Sequence, residues 1–173
     1  MRYTTHLLPT LRHMFPVFAD IAKDAVGRTT ESVLADLDRY ALHKTSCVVA
    51  WDEDTPVGYM VYGEAGKILR WHKNVPLRVR LSQEGIGTIH TACHVHLRKA
   101  HWKTGTQKEM SRVMARAILD EGVSHLLLWG YATDQLAAYS LKQPGGRVLE
   151  GMKDINGRQV GVRDLAAYLE ADE

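Results

Sequence analysis

Three histidines occur at even spacing in one apolar run of the chain, at His90, His94 and His96. Residues two apart in a β-strand point to the same face of the sheet, so one strand would present these imidazoles together. An imidazole titrates near neutral pH, which suits a general base. We therefore take His94 and His96 as candidate bases. The alternative is that they are polar strand residues satisfied by their neighbours.

The same histidines also have the spacing of metal ligands. His94 and His96 are two residues apart on the predicted strand, and His90 or His101 would supply a third nitrogen. Zinc sites usually add carboxylate or cysteine ligands in a recognisable pattern, and none accompanies these residues. We expect no metal.

A short loop rich in basic and hydroxyl residues follows this run, and an amphipathic helix follows the loop. Gly105 lies at the centre of the loop, and Gly122 ends the helix. Backbone N–H groups at the positive end of a helix bind phosphate, which makes this loop a candidate phosphate site. An ordinary strand-to-helix turn is the alternative, since a single glycine is weak support. The candidate residues are Lys103, Thr104, Gly105, Thr106, Gln107 and Lys108.

Composition indicates one globular domain over residues 1–173, with 45% hydrophobic residues and a formal net charge of only +2. So small a net charge makes nucleic acid an unlikely partner. No apolar stretch approaches the roughly 18 residues of a membrane span, and the N-terminus lacks a signal-peptide core. Cys47 and Cys93 lie in apolar, strand-like runs, which is typical of reduced thiols. We expect a soluble cytoplasmic protein without a membrane partner.

Hydrophobic periodicity predicts a mixed α/β fold with a mostly antiparallel sheet flanked by helices and one parallel crossover. Pro16 should kink or restart the first helix, Gly27 should end it, and Thr29 or Thr30 should cap the next. Asn156-Gly157 indicates a type I′ hairpin turn. The predicted strands cover residues 3–8, 46–51, 56–63, 89–97, 125–129, 147–154 and 158–162. The predicted helices begin near residues 10, 30, 107, 134 and 163.

Residues 64–87 interrupt this order and are predicted to be an insertion at one edge of the sheet, outside its core. Leu77, Val79 and Leu81 alternate with arginines, which favours an exposed extra strand bounded by Pro76 and Gly85. The basic residues of this stretch indicate a solvated face; binding of phosphate or of an acidic partner is the alternative.

The order of elements resembles the GNAT superfamily of N-acetyltransferases over nearly the whole chain. In that superfamily a fourth strand, a pyrophosphate loop with the pattern Arg/Gln-x-x-Gly-x-Gly/Ala and a long helix bind acetyl-coenzyme A. Here the run from Trp102 to Gln107 keeps the central Gly105 and replaces the other two motif positions. The resemblance implies acetyl-CoA as cofactor, held by residues 103–108 and by the backbone amides of Val95 and Leu97.

A later signature of the superfamily contains a tyrosine that acts as general acid. Its spacing is kept here from Asp134 to Gly145, but the tyrosine position is Leu141. Tyr139 would point elsewhere on a helix, so Tyr131, after the fifth strand, is the candidate substitute acid. Trp102, Tyr131 and Tyr139 either line an acceptor pocket or fill core.

The resemblance implies an acyl-CoA-dependent N-acyltransferase that acts on an amine of a small molecule or protein. The chain is also similar to degenerate GNAT-like proteins of short-tailed phages, in which a Leu-Lys-x-x-Gly run replaces the tyrosine segment, as residues 141–145 do here. The alternative function is therefore a catalytically inactive GNAT-like virion or assembly protein, with another virion component as its partner.

Overall fold

The computed structural model describes residues 1–68, 75–130 and 133–171. The β-strands are Arg2–Leu7 (β1), Ser46–Asp52 (β2), Thr55–Glu64 (β3), His90–Leu97 (β4), His125–Leu128 (β5), Gly146–Lys153 (β6) and Gln159–Asp164 (β7). The α-helices are Phe15–Val26 (α1), Thr30–Ala41 (α2), Ala65–Ile68 (α3), Val75–Gln83 (α4), Thr106–Asp120 (α5), Asp134–Leu141 (α6) and Leu165–Glu170 (α7). In the described ranges, no helix is long and apolar enough to cross a membrane.

The strands form one sheet in the order β1-β2-β3-β4-β5-β7-β6. Antiparallel pairing joins β1 to β2, β2 to β3, β5 to β7 and β6 to β7. β4 and β5 pair in parallel at His90 and Leu126, with α5 as the crossover helix. The predicted mixed α/β fold with a mostly antiparallel sheet is therefore confirmed.

The chain divides into two compact units. The first contains residues 1–63 and 92–114, and the second contains residues 64–91 and 115–173. The boundaries fall inside β3, β4 and α5, so each of these elements contributes residues to both units. All candidate site residues from position 94 to position 108 belong to the first unit.

Local sequence explains the helices of the first unit. A short 3-10 helix over Leu8–Met14 leads into α1, and Pro16 lies in the first turn of α1, where its missing N–H removes no helical hydrogen bond. Gly27, with φ of 71°, ends α1 in the left-handed conformation that glycine tolerates best. The Thr29 side chain accepts a hydrogen bond from the amide of Ser32 and caps α2. The predictions for Pro16, Gly27 and Thr29 are confirmed.

Gly58 lets β3 approach the end of β4 closely. A Cβ at this position would lie 2.8 Å from Cδ1 of Leu97 and 3.1 Å from the carbonyl oxygen of His96. A larger residue would therefore push β4 away from β3. This contact fixes the part of β4 that contains the candidate site.

The predicted strand near residues 77–81 is wrong, because this segment is the helix α4. Leu77 and Leu81 are four residues apart and share one helical face, while Pro76 lies in the first turn, where proline favours a helix start. The expectation that residues 64–87 lie outside the core is also wrong. Leu77 and Leu81 are buried in one hydrophobic cluster of the second unit together with Ala65, Ile86, Ile89, Leu127, Leu149, Val160 and Val162. Residues 69–74 lie outside the described residues.

The turn between β6 and β7 also differs from the prediction. A type I′ turn needs positive φ at two consecutive residues, but Gly157, with φ of 75°, has it and Asn156 does not. Instead, Oδ1 of Asp154 accepts hydrogen bonds from the amides of Asn156 at 2.8 Å and Arg158 at 2.9 Å. This side chain stabilises a turn in which only the last residue is left-handed.

Leu141 is buried in the second unit, as the preserved spacing predicts. It ends α6 and packs so tightly on β7 that a Cβ on Gly161 would lie 2.1 Å from its Cδ2. Tyr139 on the same helix is exposed. A packed aliphatic side chain therefore occupies the position at which the resemblance implies a tyrosine.

We expect Leu141→Tyr to lower the free energy of unfolding by about 1–3 kcal/mol, because a ring and a hydroxyl cannot fit beside Gly161. The matched control is Leu136→Tyr, the same change at an exposed position of α6, which should stay within about 0.5 kcal/mol of the wild type. Chemical denaturation measures both values. Equal stability of the two variants would contradict this packing.

Candidate functional site

His94 and His96 share one face of β4, as their spacing predicts. Their ring centroids lie 5.2 Å apart, and the ring of Tyr59 from β3 lies 5.4 Å from that of His96. Tyr59 is in turn stacked on Phe18 of α1, which fixes its position. His90 belongs to the second unit, where its Nε2 lies 3.1 Å from Oε2 of Glu121. The structure thus brings two of the three histidines together.

His94 is enclosed in a polar network with residues from the first two helices. Its Nε2 lies 3.0 Å from Nη1 of Arg28 and 3.2 Å from Oδ2 of Asp36, and those two residues form an ion pair of 2.8 Å. The hydroxyl of Tyr59 lies 3.5 Å from Nδ1 of His94. Only 4% of His94 is exposed. Its ring is therefore held in place by charged and polar neighbours on both nitrogens.

Burial and the Arg28 charge lower the pKa of His94, and the hydrogen bond to Asp36 opposes them without prevailing. Burial by itself would raise the pKa of Asp36, but hydrogen bonds from Arg28 and His94 outweigh it and hold the pKa below its ordinary value. At neutral pH the network therefore contains a neutral imidazole, a carboxylate and a guanidinium.

Arg28 and Asp36 were not predicted from the sequence as partners of His94. They lie 66 and 58 residues away along the chain, and neither belongs to a motif. Arg28 follows the glycine that ends α1, and Asp36 lies about two turns into α2 beyond the cap. Only the packing of these helices on β4 reveals them.

His96 is less constrained by polar neighbours than His94. It is half-buried, and its Nδ1 has no hydrogen-bond partner within the described part of the chain. Burial, together with the neighbouring His94 and Arg28, lowers the pKa of His96 to about 4. At neutral pH the ring is therefore uncharged and able to accept a proton, although it is a weak base.

These surroundings do not suit a metal ion. Across residues 1–68, 75–130 and 133–171, no group of three His, Cys, Asp or Glu side chains is arranged to hold one. The Arg28 guanidinium also lies against Nε2 of His94, the nitrogen that a ligand would use. The positive guanidinium would repel a metal cation bound at that nitrogen.

The backbone of the loop before α5 makes a tight turn that contains two residues with positive φ. Lys103, with φ of 62°, and Gly105, with φ of 84°, are both left-handed. The Gly105 carbonyl accepts the amide of Glu109 at 3.1 Å, so Gly105 is the N-cap residue directly before α5. No atom lies within 4 Å of the position that a Cβ on Gly105 would occupy. The start of α5 is thus open to a solute.

The threonines on either side of Gly105 have different surroundings. Thr106 is buried, whereas Thr104 is exposed, and their hydroxyls lie 2.8 Å apart. The Thr104 hydroxyl also donates to the carbonyl of His101 at 2.7 Å. Lys103, Gln107 and Lys108 are exposed around this pair. The predicted loop residues therefore lie together, and their side chains form a polar, basic rim.

Helix α1 anchors the segment between β4 and this loop. Arg98 donates to Asp20 at 2.8 Å, and the amide of Lys99 donates to Asp24 at 2.9 Å. Neither carboxylate was identified from the sequence, although their spacing of four residues places both on one face of α1. These contacts limit the movement of the loop relative to β4.

The amides of Val95 and Leu97 point away from β3. The amide of Arg98 donates to Val57 of β3, and successive N–H groups along a strand alternate between its two edges. The carbonyl of Leu97 accepts a hydrogen bond of 2.8 Å from the Trp102 indole, which is 48% exposed. Trp102 therefore occupies part of the same edge and is not a core residue.

Tyr131, the candidate acid, lies outside the described residues. Tyr139 is exposed on the outer side of α6 and neither fills core nor lies beside Leu141.

No protein-family model matches the chain, and no curated protein matches it by sequence. Solved structures, in contrast, match nearly its whole length. PaiA N-acetyltransferase from Thermoplasma acidophilum in complex with coenzyme A is 10% identical with a TM-score of 0.59, covering 95% of this chain and 99% of that one. An acetyltransferase of the GNAT family from Staphylococcus aureus Mu50 is 10% identical with a TM-score of 0.58, covering the same shares.

FeeM, an N-acyl amino acid synthase from uncultured soil microbes, is 12% identical with a TM-score of 0.61, covering 96% of this chain and 93% of that one. At such low identity these likenesses establish the fold. The fold is that of the GNAT superfamily.

The low pKa of His96 gives a pH test of the site. Between about 4 and its ordinary value of 6.5, His96 binds more protons in the unfolded than in the folded state. Its contribution to stability is therefore present above 6.5 and is lost as the pH falls toward 4. We expect His96→Gln to unfold with a shallower pH dependence in this window, and the exposed control His13→Gln to keep the wild-type slope. Urea denaturation at several pH values measures this; identical slopes for wild type and His96→Gln would contradict it.

Proposed function

We propose that this protein, with its GNAT fold, binds an acyl-coenzyme A and transfers the acyl group to an amine. The observation that carries the proposal is the loop at the start of α5. Lys103 and Gly105 turn the backbone through two left-handed residues, and the space above Gly105 is open. Exposed backbone amides at a helix start, next to lysines, suit a pyrophosphate.

Residues of the first unit could each contact a part of such a cofactor. The amides of Thr106 and Gln107 lie in the first turn of α5 and would donate to the pyrophosphate, and Lys103 and Lys108 would add positive charge there. The amides of Val95 and Leu97 are the donors that would hold the thioester carbonyl and the pantetheine arm. Trp102 lies on the same edge as Leu97 and narrows it. We therefore expect weaker affinity than an open edge would give.

The bound acyl-CoA supplies an activated thioester, from which the acyl carbon passes to the amine nitrogen as a C–N bond forms and the C–S bond breaks. His96 accepts the proton that the amine loses, because its ring is neutral at neutral pH. His94 holds its neighbour in place through an edge-to-face contact between the two imidazole rings, which lie at 84° to each other. Tyr131 is proposed to donate the proton that the departing thiolate takes up.

The free thiols of Cys47 and Cys93 support a reducing compartment, and we propose a cytoplasmic location.

A second candidate function is a catalytically inactive assembly protein of a phage virion. The packed Leu141 favours it, because no hydroxyl is available at that position. In that case the protein would keep the fold and act through a protein partner in the virion.

Turnover with acetyl-CoA separates the two candidates. Protein, acetyl-CoA and a panel of primary amines are mixed, and free coenzyme A thiol and acetylated amine are measured together. We expect both products in equal amounts. His96→Gln should slow turnover by about tenfold, less than the roughly hundredfold of a base tuned to neutral pH, and the control His13→Gln should leave it unchanged. Absence of both products with every amine would favour the assembly protein.

A further inference from the structure

Arg28 lies between solvent and His94, the neighbour of the proposed base His96. Its Nη1 lies against His94, and its Nη2 contacts Oδ2 of Asp36 at 2.8 Å and the hydroxyl of Ser32 at 2.5 Å. The side chain is nevertheless 31% exposed. A solute that approaches the two histidines from this side therefore meets a guanidinium fixed in position by its neighbours.

The fixed charges around the histidines do not balance. Arg28, Arg39 and Asp36 act on His94, which makes two cations against one carboxylate. Asp36 is shared between both arginines, since Arg39 also binds its Oδ1 at 3.0 Å. The charged side chain that acts on His96 is Arg28. The region next to His96 is therefore positive.

An amine acceptor is disfavoured by this charge unless it brings an anion with it. A simple alkyl amine has a pKa of about 10 and is therefore protonated at neutral pH, so Arg28 would repel it. A carboxylate next to the amino group removes the repulsion, because a guanidinium binds a carboxylate through parallel N–H···O bonds.

We infer that the acyl acceptor is an α-amino acid, or a compound with the same adjacent amine and carboxylate, and that Arg28 binds its carboxylate. The inference rests on the proposed function, because it names the acceptor of that reaction. The amino group would then lie beside the two histidines, with His96 as the base.

Binding of the carboxylate would also strengthen the base. Arg28 is one of the causes that keep the pKa of His96 low. A bound carboxylate offsets that positive charge, so the pKa of His96 should rise toward its ordinary value. The acceptor would thus be positioned and the base improved by the same contact. A purely structural Arg28 would give no such coupling.

NMR of the histidine ring signals in the whole protein tests this without cofactor or turnover. Each of three amines is compared with the α-amino acid that differs by one carboxylate: ethylamine with alanine, cadaverine with lysine, and tyramine with tyrosine. We expect at least one amino acid to shift the His96 signals with an apparent affinity about tenfold or more above its amine. The titration midpoint of His96 should move up in that complex.

Three variants assign the effect to Arg28. Arg28→Gln should remove the preference and the rise in the His96 midpoint, and Arg28→Lys should restore part of both. Arg12→Gln is the matched control, since Arg12 is a half-exposed arginine paired with Asp38 at 2.6 Å, remote from the histidines. If Arg28→Gln fails to fold, Arg39→Gln takes its place, because Arg39 is half exposed and adds the second positive charge.

Equal binding of amine and amino acid, preference for the amine, or no change of the His96 signals with any compound would each overturn the inference. So would an undiminished preference in Arg28→Gln. Acetyl-CoA binding is measured separately by calorimetry, so that a failure of the proposed function is not mistaken for a failure of the acceptor class. Amino acid binding without acetyl-CoA binding would remove the acyltransferase and leave the ligand site.

Discussion

Replacing Leu77 with aspartate is expected to unfold the second unit of the protein. Leu77 is fully buried on the inner face of α4, in the cluster that contains Leu127 and Val160. A carboxylate there would lose its hydration among the aliphatic side chains of this cluster. An uncompensated buried charge costs about 3–5 kcal/mol, which is a large part of the stability of a typical domain.

The matched control is Val79→Asp, which places the same charge on the same helix at a position that is 48% exposed. It should change the free energy of unfolding by less than about 1 kcal/mol. Circular dichroism during urea denaturation follows both variants. A cooperative transition of Leu77→Asp at the wild-type midpoint would show that α4 is only an appendage to the sheet.

The strand predicted near residues 77–81, where the structure has α4, is the largest error of the sequence-based prediction. Leu77, Val79 and Leu81 alternate with arginines, and this period of two predicts a strand. The first and last of these residues are also four apart, which satisfies a helix equally well, and Pro76 at the helix start should have decided between the two. A short segment with three apolar positions fits both periods, so length and flanking residues carry more information than alternation.

Elements with strong local signals were predicted well. Gly27, Thr29 and Pro16 act through the backbone of their own turn, so their effect can be read from a few neighbouring residues. The hairpin at Asn156-Gly157 shows the limit of such rules. The side chain of Asp154 holds the turn by accepting two amides, and this competes with the conformation that the dipeptide alone prefers.

The candidate site could be predicted only where it is continuous in sequence. The even spacing of the histidines and the glycine before α5 were visible; the structure brings His94 and His96 together, leaves His90 in the second unit, and places Gly105 at the start of α5. Arg28 and Asp36 were not, since their contacts with His94 depend on how α1 and α2 pack on the sheet. The charge around the candidate base, and hence the acceptor class, is a property of tertiary structure.

The proposed function requires the loop before α5 to bind the coenzyme A pyrophosphate. Isothermal titration calorimetry with acetyl-CoA measures this binding. We expect binding to the wild type and a loss of about hundredfold or more in Gly105→Glu. The new side chain would fill the open space above the helix start and place a negative charge beside the phosphates. At a hundredfold loss, about 2.8 kcal/mol of binding free energy is removed.

Gly122→Glu is the control, because Gly122 lies just beyond the other end of α5, is equally exposed, and has a similar φ of 79°. Both variants carry the same charge and the same backbone strain, so only a ligand at the start of α5 distinguishes them. We expect unchanged acetyl-CoA binding in Gly122→Glu and none detectable in Gly105→Glu. Equal affinity of the two variants, or no heat of binding with the wild type, would contradict it.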